Sequence, residues 1–308
     1  MSLKGRDFLS MDNLSGEELS HVLAYAADLK EAAHTGQHPA HLAGKTLAMV
    51  FEKPSLRTRV TFEVGMWQLG GHAVYLGPQD IQMGTRESVG DVARNLERWV
   101  SGIMARTFAH GTQQELAAGA GCPVINGLSD LEHPCQVLAD LLTMVEHRGR
   151  LAGLPVAWVG DGNNVCHSLL LGCAKLGSDL RVATPPGYVP RAAVVSRATE
   201  IARATGARIA VGTDPLAAVR GAEVIYTDVW TSMGQEAEGE ERRRLFAPFQ
   251  VNAALLAAAG DEAAVMHCLP AHRGEEITDD VLDGPRSIVL DQAENRLHAQ
   301  KALLALLL

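Results

Sequence analysis

Nine short apolar runs, separated by segments of helical periodicity, do most to limit how this sequence folds. They are Thr46–Phe51, Ala73–Leu76, Gly102–Arg106, Pro123–Asn126, Val156–Val159, Leu180–Ala183, Arg208–Val211, Glu223–Thr227 and Val265–Cys268. Several are apolar at consecutive rather than alternate positions, so neither face suits water. Strands of that kind belong in parallel sheets covered by helices on both sides. Gly16–Lys30, Val60–Leu69, Gln136–Glu146 and Asp291–Leu308 carry apolar residues at helical spacing. The expected class is α/β: two domains, each a mainly parallel sheet flanked by helices, with the active site in the cleft between them. A Gly- and charge-rich stretch, His147 to Pro155, separates four runs from five. It sets expected domains at 1–147, joined by the C-terminal helix at about 291–308, and at 148–290.

The length, 308 residues, gives each domain its own core. The net charge of −9 argues against nucleic acid or an anionic membrane as the main partner. The N-terminus lacks the apolar core of a signal peptide, and no apolar run is long enough to span a bilayer. The C-terminal run Ala302–Leu308 is short and reads as the end of a docked helix. Cys122, Cys135, Cys166, Cys173 and Cys268 are odd in number and form no CxxC pair, which suggests neither a disulfide framework nor a zinc ribbon. A reducing, cytoplasmic setting is expected.

The segment Phe51-Glu-Lys-Pro-Ser-Leu-Arg-Thr-Arg59 sits where the first apolar run feeds a helix. A helix N-terminus presents unpaired N–H groups and a positive dipole end. Ser55 could simply cap that helix. Arginines there oppose the dipole, however, so a purely structural helix would rather carry Asp or Glu. Hydroxyls and guanidiniums together make a site for a doubly charged phosphate or phosphonate.

Other polar clusters also follow apolar runs, where open α/β sheets bind ligands. Arg106, with Thr107 and His110 after it, is either an ion-pair partner or a second cation for an anion. His133-Pro-Cys-Gln136 opens a helix with Pro at its first position; His133 is either a simple flanking residue or a donor that polarises a carbonyl, helped by Gln136. Asp161-Gly-Asn-Asn164 reads as turn chemistry and lacks the G-x-G-x-x-G spacing, so a dinucleotide is not supported. Asp228, before Ser232-Met-Gly234, is either a loop residue or a carboxylate for a substrate ammonium group. Cys268, between His267 and Leu269, is not read as a covalent nucleophile. The polar stretch Gly77–Ser88 reads as a mobile surface loop, a lid or an interface element.

In their order, Ser55-Leu-Arg-Thr-Arg59, His133-Pro-Cys-Gln136, Asp161-Gly-Asn-Asn164, Asp228 with Ser232-Met-Gly234, and His267-Cys-Leu-Pro270 resemble the signature set of the ornithine carbamoyltransferase family. The resemblance covers almost the whole chain. The first two motifs are shared in their main features with aspartate carbamoyltransferases; the Ser-Met-Gly and His-Cys-Leu-Pro segments resemble the ornithine branch. It implies carbamoyl transfer from carbamoyl phosphate to the δ-amine of L-ornithine, giving L-citrulline and phosphate, in arginine metabolism. It places Ser55, Leu56 through its backbone, Arg57 and Thr58 on the phosphate. Gln82 would come from the long loop across a subunit interface. Arg106, His133 and Gln136 would hold the carbamoyl end, Arg296 would complete the site, and Cys268 and Leu269 would line the reacting centre. Asn164, Asp228, Ser232 and Met233 would hold ornithine. The catalytic set is Arg106, His133, Asp228 and Cys268. No metal or organic cofactor is expected, and the implied assembly is a homotrimer or a multiple of trimers.

Leu56 departs from the family, which usually has a small hydroxyl residue there. Carbamoyltransferases acting on aspartate, putrescine or N-acetylornithine are the nearest alternatives. An α/β oxidoreductase or sugar-phosphate binder using Val159–Asn163 is disfavoured by the missing third glycine. A non-catalytic homologue would have lost the arginine, histidine or cysteine positions, and all are present.

Overall fold

The computed structural model describes residues 2–232, 234 and 236–308. These form two compact units, Met1–Leu142 with Glu294–Leu308, and Thr143–Ala293.

The first unit begins with α1 (Gly16–His34), capped by Ser15 and Glu18 in a reciprocal box. There follow β1 (Thr46–Phe51), α2 (Leu56–Gln68), β2 (His72–Leu76), α3 (Pro78–Ile81), α4 (Val89–Leu96), β3 (Gly102–Arg106), α5 (His110–Gly119), β4 (Val124–Leu128) and α6 (Pro134–Arg148), whose last residues belong to the second unit. The sheet is wholly parallel in the order β2-β1-β3-β4. β3 is buried at every position, as its unbroken apolar run requires. One side of the sheet packs Ala48, Val50, Ile103 and Ala105 against Val92, Leu96 and Leu116.

The second unit contains β5 (Pro155–Val159), α7 (Asn164–Leu176), β6 (Asp179–Ala183), α8 (Ala192–Thr205), β7 (Ile209–Gly212), α9 (Pro215–Val219), β8 (Val224–Thr227), α10 (Gly239–Phe246), α11 (Ala253–Ala259), β9 (Ala264–His267) and α12 (Asp279–Leu282). Its last segment starts α13 (Val289–Leu307), most of which belongs to the first unit. The sheet is again parallel, in the order β7-β6-β5-β8-β9. Ala157, Val159, Ile225 and Val265 bury one of its faces with Leu255, Leu256 and Val281. Among the described residues no helix is long and apolar enough to cross a membrane.

Both sheets reverse their winding at one place, between β1 and β3 in the first and between β5 and β8 in the second. Such switch points leave a crevice beyond the strand ends. The arginine segment and Arg106 lie beyond one; Asp161–Asn164 and Asp228 lie beyond the other.

Some elements differ from the sequence reading. α2 starts at Leu56 rather than Val60, because Ser55 caps it and accepts from the Thr58 N–H. Arg57, Thr58 and Arg59 therefore stand in the first turn, with no acidic residue to complement the dipole. β7 and β9 are each shifted by one residue, which puts Cys268 just outside its strand. The stretch 77–88 is partly ordered by α3 and by the bridge Met83–Glu87.

Candidate functional site

In the first unit, four buried polar side chains make a continuous chain. Arg296 donates from Nη2 to Thr58 Oγ1 over 2.7 Å and from Nη1 to Gln136 Oε1 over 2.6 Å. Gln136 in turn donates to Asp140 Oδ1 over 2.8 Å. All four are nearly or fully buried, so α2, α6 and α13 are joined where water is excluded. A guanidinium held by a hydroxyl and by an amide that a carboxylate fixes in turn is a preorganised cation.

Arg106 ends β3 and is also buried. His133 precedes Pro134 at the start of α6, and the Gln136 N–H bonds back to its carbonyl. Burial, and then Arg296, Arg106, Lys53 and Arg57, hold the imidazole well below its ordinary value of 6.5. His133 is therefore neutral near pH 7, the form that donates one hydrogen bond without adding a charge. The Nε of Arg106, Nδ1 of His133 and Nε of Arg296 have no hydrogen-bond partner among the described residues, though each side chain has other contacts. Lys53 carries a lowered pKa, first from burial and then from Arg106, and its Nζ lies 4.9 Å from the Phe108 ring centroid. Lys53 went unassigned in the sequence, although it stands two residues before Ser55.

Ser55 and Arg57 are half-buried at the head of α2. Leu56, the first residue of α2, is 75% exposed. Gln82 is exposed and left-handed, with φ 45°. It lines a cavity of ≈ 340 Å³ together with Phe51, Glu52, Ile81, Met83 and Phe108, beside the ends of β1 and β3. Cys135 is buried among these elements and its thiol is pushed up to about 12, which removes it as a thiolate.

In the second unit, the buried carboxylate of Asp228 follows β8. Oδ1 accepts from the Val229 N–H and from Cys268 Sγ, each over 2.8 Å; Oδ2 accepts from Asn163 Nδ2 over 2.7 Å. Asn163, which the sequence reading did not single out, thus reaches Asp228. Asn163 also caps α7 through its Oδ1, while Asn164 turns its own Oδ1 to the Val165 N–H. Asp161 pairs with Arg242, and burial pushes its pKa up to about 6 against the pull of Arg242. Arg242 donates from Nε to the Trp230 carbonyl over 2.6 Å, fixing the entry to the loop that carries Ser232. Ser232 is half-buried; Met233 lies outside the described residues.

His267 positions Cys268 from behind. Its Nδ1 accepts from the Leu269 N–H over 2.8 Å, so Nε2 carries the proton and faces Glu276 Oε1 at 3.0 Å. Glu276 also accepts from the His272 N–H over 2.5 Å. These bonds hold Leu269 at φ 56°, a conformation disfavoured for a branched side chain. Neither Glu276 nor Arg242 carried a sequence signal, because their partners are fixed only by the fold.

The first unit thus offers a hydroxyl-capped helix start with guanidiniums and a neutral imidazole. The second offers a carboxylate and thiol pair. One suits a phosphorylated carbonyl compound, the other an amine.

Comparison with known proteins follows the same division. Residues 6–146 match the family described as Aspartate/ornithine carbamoyltransferase, carbamoyl-P binding domain, and residues 152–307 match Aspartate/ornithine carbamoyltransferase, Asp/Orn binding domain. An ornithine carbamoyltransferase of Anoxybacillus flavithermus is 56% identical, over 100% of this chain and 98% of its own length. One from Gloeobacter violaceus is 58% identical, over 98% and 95%. The solved structure of the Pyrococcus furiosus ornithine carbamoyltransferase superposes with a TM-score of 0.98 at 54% identity, covering 100% of this chain and 98% of that one.

Proposed function

Because this chain belongs to the aspartate/ornithine carbamoyltransferase family, we propose that its buried arginine and imidazole cluster binds carbamoyl phosphate for transfer to ornithine. The enzyme is a carbamoyltransferase. It moves the carbamoyl group of carbamoyl phosphate to the δ-amine of L-ornithine, giving L-citrulline and phosphate, in arginine biosynthesis. The observation that carries the donor assignment is the chain Thr58–Arg296–Gln136 beside a neutral His133.

Ser55, Leu56 through its backbone N–H, Arg57 and Thr58 take the phosphate at the head of α2. Gln82 reaches a donor held by a neighbouring subunit. Arg106, His133 and Gln136 hold the carbamoyl oxygen, Arg296 completes the site, and Cys268 and Leu269 line the reacting carbon. As the amine attacks, negative charge grows on that oxygen; Arg106 and His133 stabilise it, each such donor mattering by ~2.7–4 kcal/mol.

Asn164, Asp228, Ser232 and Met233 hold ornithine. The amine must be neutral to attack, whereas a free alkylammonium has a pKa near ~10.4. A lone carboxylate favours the ammonium form. Asp228, already holding Asn163 and the Cys268 thiol, therefore orients the amine, and the departing phosphate accepts the proton. The chemistry uses no metal or organic cofactor.

The donor-binding domain spans 1–147 with 291–308, and the ornithine-binding domain spans 148–290. The working form is a homotrimer or a multiple of trimers in the cytoplasm. An acceptor screen tests the branch: ornithine, aspartate, putrescine and N-acetylornithine are each offered with carbamoyl phosphate and the ureido product is scored. Ornithine should lead by orders of magnitude; a lead by any other acceptor refutes the assignment.

A further inference from the structure

Apart from the transfer site, the last residue of α1 meets the middle of α13 in a cluster with no role in the reaction. The Nε2 atom of His34 lies 3.0 Å from Glu294 Oε1, and Nε2 of His298 lies 3.5 Å from the same oxygen. Glu294 and His298 stand one turn apart on α13. The three ligand atoms all fall within 4.8 Å of one another. We propose that His34, Glu294 and His298 form a site for a divalent metal of the zinc class, which ties the end of α1 to α13.

The spacing fits the ion. Zinc bonds of about 2.0–2.2 Å at tetrahedral angles separate ligand atoms by roughly 3.3 Å. Two of the three separations already straddle that distance, and the third closes with a small rotation of His34. That rotation is open to it, because the His34 side chain is 60% exposed. Two imidazoles and a carboxylate are borderline donors that select zinc and its neighbours over calcium or magnesium. The fourth position faces water from the His34 side. The C-terminal dipole of α1 adds a favourable negative potential at His34.

Three features hold the affinity down. The ammonium of Lys30 lies 3.8 Å from Glu294 Oε2, although its hydrogen bond goes to Asn295 Oδ1 at 2.8 Å. Among the described residues, Nδ1 of His298 has no acceptor behind it to fix the ring. Lys301 also lies close enough to His298 to act on it. The site is therefore a modest helix staple and not a folding requirement.

A second trio, Asp228, His267 and Cys268, has comparable spacing. Both nitrogens of His267 are committed there, to the Leu269 N–H and to Glu276. It is the site from which binding at His34 must be distinguished.

The test uses the full chain after chelator treatment. Calorimetric titration with Zn²⁺ should give one saturable equivalent per chain, and Tm should rise with Zn²⁺. H34A, at an exposed helix end, and E294Q, a conservative change, should each weaken binding by about tenfold or more while leaving metal-free citrulline synthesis unchanged. Co²⁺ should give a spectrum without the intense near-ultraviolet band of a thiolate ligand. Absence of saturable binding, undiminished binding in both variants, or a thiolate band would each overturn the proposal.

Discussion

The thiol of Cys268 donates to Asp228 Oδ1 across 2.8 Å, while Asn163 holds the other carboxylate oxygen at 2.7 Å. The two residues leave different strands, β8 and β9, which pair in parallel with Thr227 opposite His267. The pair is therefore set by sheet register rather than by loop conformation.

Replacing Asp228 by Asn removes the charge that orients the acceptor and faces the Asn163 amide with another amide. The expected loss in kcat/KM for ornithine is about 10–100-fold, the scale of one hydrogen bond to a charged group. Cys268→Ser keeps a donor to Asp228 and should cost less. Separate titrations of the two substrates check both variants; a larger effect on carbamoyl phosphate than on ornithine contradicts the assignment.

Arg57 and Arg296 should separate function from stability. Arg57 is half-buried at the head of α2, so Arg57→Ala should weaken carbamoyl phosphate use by about 10²-fold or more while the urea midpoint barely moves. Arg296→Ala strands Thr58 Oγ1 and Gln136 Oε1 in a buried setting and should lower the midpoint as well. Equal stability losses in the two variants would undo the distinction.

The neutral state of His133 has a signature in acid. Its folded pKa lies below 6.5, so at mildly acidic pH the unfolded chain binds a proton that the folded chain refuses. The stability due to neutral His133 is present above about 6.5 and is lost as pH falls toward the folded value. His133→Gln should flatten that part of the stability–pH curve, read from urea midpoints. An unchanged acid slope would contradict the assignment.

Gly162 has no room for a side chain. An added Cβ would lie 2.3 Å from Pro190 N and 2.5 Å from the Val189 carbonyl carbon, both backbone atoms. Gly162→Ala should cost about 1–3 kcal/mol. It should also raise KM for ornithine by moving Asn163, with KM for carbamoyl phosphate unchanged. Normal ornithine kinetics would mean that the turn does not position Asp228.

Gln82→Gly tests the loop. Glycine tolerates φ 45° without the cost of a left-handed side chain, so stability should hold or rise. KM for carbamoyl phosphate should nonetheless increase, because the amide is gone. Unchanged kinetics would remove Gln82 from the donor site.

Strands were legible in the sequence because buried parallel strands are continuously apolar; β1 and β3 match their predicted bounds residue for residue. Strand order was not, since the switch points β1/β3 and β5/β8 depend on how helices pack rather than on periodicity. The cationic start of α2 stood out because arginines at a helix N-terminus oppose the dipole. The Asn163 contact did not, because neighbouring asparagines differ only in which one caps the helix. Arg242, 81 residues from Asp161, and Glu276 behind His267 are paired by tertiary structure alone.

One assay reaches the central claim: purified chain with carbamoyl phosphate and L-ornithine, with citrulline and phosphate counted together. Equal yields of the two, both abolished when ornithine is omitted, are predicted. Phosphate release without citrulline, or no turnover at saturating substrates, would contradict the account.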